Sequence, residues 1–421
     1  MRSYRFARNT LILLSSAIAL ASAGTAFADE QNRLPEVINN VHVPIGTISI
    51  QGYNFGVLSP DGVAVNTRTN RIYTVEASGG GAFTPATGTT ISVIDGNVTD
   101  HTWNKIIKNI HITNDPTLGS NFPAVNTKTN KIYVDLSTSG WYSPGVTQSH
   151  VLVIDGNTNK VIKKITVNPT VTGIAVNEST NIIYISNYFA DTVQVIDGNT
   201  DKIIKTIATH TPQNLSNPYD QLGQPAVSEK LNKIYVPNYL DGSVTVIDGA
   251  NDTLITSEDN LPTCTQTVAS EYTGCAPIAA TVNDRTGKVY VTDEAINSIE
   301  VLDEITYATI AIIPLSPTST VHPYGIDIDR ETNLIYVADP TGFIDVVDGE
   351  TSKLIGTVPV GLPPLNTGCC GLFNAYQLAV DSQHHRLYVA TAASGALAIL
   401  KTFGHDHDHD HWEKSNAGAS Q

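Results

Sequence analysis

The chain runs to 421 residues, with 24 lysines and arginines against 40 aspartates and glutamates, 41% hydrophobic side chains and 15% charged ones. That length holds two or three ordinary domains or one large all-β domain, and the apolar content is too high for a disordered chain. Residues 1–28 carry three arginines and no acid, which leaves 21 basic and 40 acidic side chains in the remainder. So acidic a surface repels phosphate, which excludes nucleic acid as an expected partner and a polybasic grip on anionic lipid.

Arg2, Arg5 and Arg8 precede an apolar run from Leu11 to Ala21, and Ala26-Phe27-Ala28 offers small residues where a signal peptidase reads them. The run is short for a membrane span, so a cleaved export signal is expected over 1–28 rather than an uncleaved anchor. The mature chain then starts at Asp29, has no transmembrane segment, and is periplasmic, extracellular or on the cell surface.

From residue 36 onward one unit recurs. Its first phrase reads AVNTRTNRIYTV (64–75), AVNTKTNKIYVD (124–135) and AVNESTNIIYIS (175–186), and returns with tyrosines Tyr235, Tyr290, Tyr336 and Tyr388. A second phrase, of the type LVIDG, ends at Asp95, Asp155, Asp197, Asp248, Asp303 and Asp348. A third, KVIKKITV (160–167) or KIIKTIAT (202–209), completes the unit. Val, Ile and Tyr dominate each phrase, while Asn, Asp, Gly and Thr punctuate it, which predicts short strands. Val151, Leu152, Val153 and Ile154 are apolar on both parities, as in a strand covered on both faces. Four strands per unit, joined by tight turns containing Asn-Gly or Asp-Gly, give a meander. In the third unit they are Gly173 to Asn177, Ile182 to Ser186, Val193 to Asp197 and Lys202 to Ala208. Seven such sheets predict an all-β, seven-bladed β-propeller over 29–403. The seventh unit lacks its fourth phrase, and EVINNVHVPIG (36–46) aligns with it. A strand at about 36–43 is therefore expected to complete the last blade and close the ring.

The repeats resemble the YVTN family of exported and surface-layer β-propellers. Tyr290-Val291-Thr292-Asp293 is the nearest match, with Tyr184-Ile185-Ser186-Asn187 and Tyr235-Val236-Pro237-Asn238 as variants. The likeness spans nearly the whole mature chain. It implies fold and export and leaves function open, because propellers host many activities.

A meander puts first-to-second and third-to-fourth turns on one face and the other connectors opposite. The former stay short, whereas the tyrosine-to-aspartate spacing is 22 in units one and two but 13 or 12 in units three to six. Long loops concentrate function, so the long-connector face is the expected ligand surface. It carries Tyr53, Asn54, Phe55, Trp141, Tyr142, Tyr219, Asp220, Tyr272, Tyr324, Phe373 and Tyr376. Aromatic rings beside amides suit a protein, a saccharide or another small molecule, and the competing reading is that they pack the loops down. His150, His210 and His322 fall there too, without metal-ligand spacing, and are read as hydrogen-bonded loop residues rather than a three-histidine centre. The repeated aspartates are read as turn acceptors. No nucleophile elbow, P-loop or dinucleotide fingerprint occurs. The sequence has no C-x-x-C-H and Met1 is the only methionine, so neither haem nor nucleotide is expected.

Cys264, Cys275, Cys369 and Cys370 allow three pairings. After export they are expected to be oxidised, as Cys264–Cys275 with Cys369–Cys370 or as cross-links between the two segments. The tail 404–421 contains His405, Asp406, His407, Asp408, His409, Asp410 and His411, a set able to wrap zinc, nickel, cobalt or copper ions. The sequence therefore points to an exported binding scaffold with a metal-chelating tail and assigns no catalytic residue. A periplasmic oxidoreductase or lyase using the same face, and a metal-homeostasis protein, are the alternatives.

Overall fold

The computed structural model describes residues 33–42, 47–50, 53–56, 60–76, 89–97, 104–113, 118–138, 149–188, 190–209, 221–258, 275–315, 323–360, 377–391 and 394–402. Seven antiparallel four-stranded sheets stand in a ring, a β-propeller. Blade three has Val171–Asn177, Ile182–Asn187, Thr192–Asp197 and Lys202–Ala208 in simple meander order. These extend the expected strands by up to two residues at an end. The inner strands of the blades are Gly62–Asn66, Pro123–Asn126, Val171–Asn177, Ala226–Ser228, Pro277–Asn283, Ile326–Asp329 and Leu378–Asp381. Each packs beside the next, and the last packs beside the first. A parallel bridge from Gln224 to Ala279 shows that neighbouring inner strands run the same way, so equivalent connectors leave from the same face. Blade two gains a short extra strand, Leu118–Gly119, on Ser137 and Thr138.

The ring is closed as the repeat count requires. Glu36–His42 pairs antiparallel with Ala396–Lys401, with Val37 opposite Leu400 and Val41 opposite Leu397. The segment before it reaches further: the Arg33 guanidinium binds the Asp348 carboxylate of blade six, and Leu34 packs into the cluster between blades six and seven. Thus the clasp ties down three kinds of contact, namely strand pairing, an ion pair and apolar burial.

The core lies in the seams between blades. Seven apolar clusters fill seven seams, each built from two adjacent blades. Tyr73, Val75, Ile91 and Val93 of blade one meet Ile132, Val134 and Ile154 of blade two, and Tyr388 and Leu397 of blade seven meet Val63 and Ile72 of blade one. This explains the strands apolar on both parities, since each middle strand faces a neighbour on either side. The seven tyrosines are fully buried. Their hydroxyls reach the turn of the following blade: Tyr235 donates to the Glu304 carbonyl at 3.0 Å and Tyr290 to the Gly349 carbonyl at 3.4 Å. Burying such a ring is worth about 1.5–3 kcal/mol, so the tyrosines are principal seam contacts.

The short-turn face is laced by amides. Each first turn ends on a residue in the left-handed region, usually asparagine, whose side chain tolerates that backbone (Asn130 φ 55°, Asn181 φ 57°, Asn232 φ 50°). Those asparagines accept a hydrogen bond from the preceding blade: Asn66 Nδ2 to Asn130 Oδ1 at 2.8 Å, Asn126 to Asn181 at 2.9 Å, Asn177 to Asn232 at 2.7 Å and Asn283 to Asn333 at 2.6 Å. Carboxylates add a second stair, with Thr127 donating to Glu178 and Ser179 to Glu229 in the next blade. The glycine after five of the six repeated aspartates (Asp303 is followed by Glu304) fits here, but not as the turn conformer that Asp-Gly suggests. The left-handed residues of the third-to-fourth turns include Asn104, Asn159, Asp201, Asp252, Tyr307 and Ser352, none of them the glycine. The glycine is needed for close approach: a Cβ on Gly198 would stand 2.3 Å from Asn181 Oδ1.

Candidate functional site

The repeated aspartates sit where a turn needs an acceptor. Asp155, Asp197, Asp248, Asp303 and Asp348 each accept the backbone N–H two residues on, at 2.8–3.0 Å. Backbone N–H bonds hold the carboxyls of Asp155, Asp197 and Asp303 below the usual range, so all three are ionised at neutral pH.

The long-connector face is where the expected ligand residues gather in sequence, and the described part of it is mostly scaffold. Tyr53 lies in a two-stranded hairpin, Thr47–Ile50 with Tyr53–Gly56, opposite Ile50. Tyr324 is 8% exposed and packs among Ile278, Ile299 and Ile313, so its ring serves the seam of blades five and six. His150 is the second residue of Ser149–Asp155. Burial and the nearby Lys164 charge both push its pKa down, which keeps the imidazole neutral. Its Nδ1 has no hydrogen-bond partner among the described residues. Trp141, Tyr142, His210, Tyr219, Asp220, His322, Phe373 and Tyr376 lie outside the described residues, as do Cys264, Cys369, Cys370 and the tail from His405 to His411.

Cys275 is buried and disulfide-bonded, and no cystine pair falls wholly within the described residues. Its sulfur and the carboxylate oxygens of Asp293 and Glu300 lie within 4.8 Å of one another. A sulfur already in a disulfide is no thiolate ligand, and Asp293 spends Oδ1 on the N–H groups of Ala276, Ala295 and Ile296. This group is first a turn anchor at the start of blade five.

A pair of acids that sequence reading passed over lies at the seam of blades one and two. Asp135 follows Ile132, Tyr133 and Val134 in Lys131–Thr138 and is fully buried. Its Oδ1 accepts the N–H groups of Asn121 and Phe122, each at 2.8 Å, and its Oδ2 has no hydrogen-bond partner among the described residues. Asp61 enters the inner strand of blade one and donates its own N–H to Val75 at 3.0 Å. The two blades touch there: a Cβ on Gly62 would stand 2.1 Å from the Asn121 carbonyl oxygen. Burial first, and the Asp135 charge second, push the Asp61 carboxyl up to about 8. Burial pushes Asp135 up to about 7 against the pull of its N–H donors and of the Ser137 hydroxyl. No cation is among the leading influences on either carboxyl. Asp327 of blade six is also raised by burial, although there Arg330 and the N–H groups of Val380 and Ile328 pull the other way.

The signal for Asp135 was present in the repeats. Aligned on the tyrosine, its position holds Val75, Ser186, Pro237, Thr292, Ala338 and Ala390 in the other blades. Where a hydroxyl stands there it binds the next blade: Ser186 donates to the Gly223 carbonyl at 2.8 Å and Thr292 to the Tyr324 carbonyl at 3.0 Å. The scaffold thus needs something small or weakly polar at this point, and a carboxylate exceeds that need.

No protein-family model matches the chain, and no curated protein matches it. The likeness to YVTN propellers accordingly rests on the repeat phrases themselves. Among the described residues no helix is long and apolar enough to cross a membrane. The β-propeller is a scaffold fitted to binding and interaction.

Proposed function

We propose that the chain is an exported binding protein of the YVTN type whose long-connector face takes a protein or saccharide ligand. The observation that carries this reading is the division of labour across each blade. The short-turn face consumes its amides and carboxylates in holding blades together, while the length and aromatic content of the chain vary on the other face alone, apart from one insertion near His101. A ring with buried seams presents such connectors at little entropic cost, because the ends of each are already fixed. In the same proposal the tail His405–His411 chelates a divalent transition ion, with neutral imidazoles as ligands, so that binding weakens below about pH 6.

The test replaces residues 139–148 with the short connector that joins the middle strands of blade three, and probes both proteins on a saccharide array and on immobilised envelope proteins. Retained circular dichroism with lost binding supports the reading. Unchanged binding by the shortened protein contradicts it. Deleting 404–421 and titrating with Ni²⁺ tests the tail, which fails as a chelator if the affinity stays the same. Export is checked by the N-terminus of the recovered protein, expected at Asp29.

A further inference from the structure

The outermost strand of every blade carries the same irregularity. Where it pairs with the third strand, the ladder skips one residue: Ile107, Ile162, Ile204, Ile255, Ile310, Ile355 and, in the closing strand, Ile38. A bulge re-aims its extra side chain, and at all seven places that residue is isoleucine. Blade six shows what such a place accepts. The segment ahead of the closing strand lies there, with Leu34 3.0 Å from where a Gly356 Cβ would stand and packed with Ile355 into one apolar cluster. Beside it the Arg33 guanidinium binds the Asp348 carboxylate, and Ile355 is half-buried. In blades one to five the bulged isoleucines stand 39–52% exposed.

Three adjacent blades add a charge signature to the bulge. Lys105-Ile106-Ile107-Lys108, Lys160-Val161-Ile162-Lys163 and Lys202-Ile203-Ile204-Lys205 set each bulged isoleucine between two lysines, and Lys164 adds a seventh. All seven lysines are exposed, and none forms an ion pair among the described residues. No acid occurs on these three outer strands. The corresponding places hold Thr253 and Thr256 in blade four, and Ala308 and Ala311 in blade five. Lysine on an edge strand often serves only to discourage pairing with another sheet. That role would call for lysine on every exposed edge, yet the edges of blades four and five expose Ile255 and Ile310 without it. The bulge is therefore scaffold, and the lysines are a local departure on a chain with 24 basic against 40 acidic residues.

We propose that the rim of blades one to three docks an extended acidic segment of a partner protein, with apolar side chains over the bulged isoleucines and carboxylates on the flanking lysines. The seat of Arg33 and Leu34 on blade six is the pattern within the chain itself: an apolar side chain packs by the bulge while its neighbour makes an ion pair. Each outer strand also ends its sheet, so its free edge offers backbone hydrogen bonds to an added strand. Lysine suits carboxylates that vary in position, because its ammonium is a point charge on a flexible stem. Three edges set around a curved rim fit an extended chain better than a flat lipid surface, which would meet fewer of them. This surface is separate from the long-connector face and does not depend on the function assigned to that face.

The experiment follows the fluorescence anisotropy of a labelled synthetic peptide, three tandem copies of Glu-Glu-Leu-Pro-Glu-Glu, on titration with the full chain at low salt. The control peptide has glutamine in place of every glutamate. One variant combines Lys108→Gln, Lys163→Gln and Lys205→Gln. A second combines Lys230→Gln, Lys353→Gln and Lys401→Gln, exposed lysines away from this rim. A third combines Ile162→Thr and Ile204→Thr. All these side chains are exposed or half-exposed, so circular dichroism should be unchanged. The acidic peptide is expected to bind the parent about tenfold or more tightly than its control. The rim lysine variant should lose about tenfold, or about 1.4 kcal/mol over three lysines, the ordinary worth of exposed ion pairs. The isoleucine variant should lose about threefold, and the second lysine variant should bind like the parent. A parent that does not prefer the acidic peptide overturns the proposal, and so does equal loss in the two lysine variants. Rim-dependent binding to vesicles of equimolar phosphatidylcholine and phosphatidylglycerol, without binding to the peptide, would overturn it in favour of a lipid surface.

Discussion

The two ends of one seam follow opposite rules. At the short-turn end, polar groups are numerous and matched: Asn66 meets Asn130 across the blades, and the Asp155 carboxylate of blade two meets backbone N–H groups that keep it ionised. At the long-connector end of the seam of blades one and two, Asp61 and Asp135 are few, mutually repulsive and pushed up in pKa. The first arrangement stabilises the ring, whereas the second draws on stability made elsewhere. The difference teaches that a repeat protein labels its own scaffold. What recurs in every blade is structural, and a polar residue standing alone at a position otherwise apolar or hydroxylic marks a site.

Breaking the shared scaffold is expected to have the largest effect. Tyr184→Ala removes a fully buried ring from the seam of blades three and four and should cost about 3–5 kcal/mol in urea unfolding. Gly198→Ala places a methyl 2.3 Å from Asn181 Oδ1 and should cost about 1–3 kcal/mol by the same measurement. Asn177→Ala is smaller, about 1–2 kcal/mol. It removes the donor to Asn232 and the acceptor for the N–H groups of Ser179 and Thr180. If Asn177→Ala proves neutral while Gly198→Ala is costly, the short-turn face is held by shape rather than by its amides.

The pH dependence sharpens the contrast, because the two regions respond in opposite directions. Asp155, Asp197 and Asp303 have folded pKa values below their unfolded ones. The stability they contribute is present above the unfolded value, about 3.9, and is lost as pH falls through the folded values. Asp61 and Asp135 have folded values raised to about 8 and about 7. In EDTA the folded state then holds protons that the unfolded chain has released, so stability declines as pH rises from about 4 towards 8. Melting curves of the parent against the double variant Asp61→Thr, Asp135→Ser should therefore lie close together at pH 5 and separate towards pH 8, with the variant more stable. Parallel curves across that range would remove the uncompensated pair from the account.

The fold was legible because the repeat supplies its own alignment. Seven tyrosines gave the number of blades, and the missing fourth phrase after Lys401 placed the closing strand, which runs from Glu36 to His42. Periodicity also gave the burial of both faces of Ser149–Asp155. Two readings needed coordinates. The glycine of Asp-Gly is a contact residue beside a left-handed asparagine of another strand pair, and no local turn rule reports that neighbour. Tyr324, counted by its place in a connector, is drawn into the core because the inner strand of blade six begins beside it. Asp135 was visible in the alignment as a lone acid, but its burial and its hold on the N–H groups of Asn121 and Phe122 depend on how the strands pack.

The most direct test is the melting temperature of Asp135→Ser against the parent at pH 8 in EDTA. If Asp135 is a site residue that the scaffold does not require, the serine variant melts a few degrees higher, since a buried uncompensated carboxyl gives way to the hydroxyl that blade three already uses. A variant that melts lower would show that the carboxylate holds the ring together, and the division between matched scaffold and unmatched site would fall.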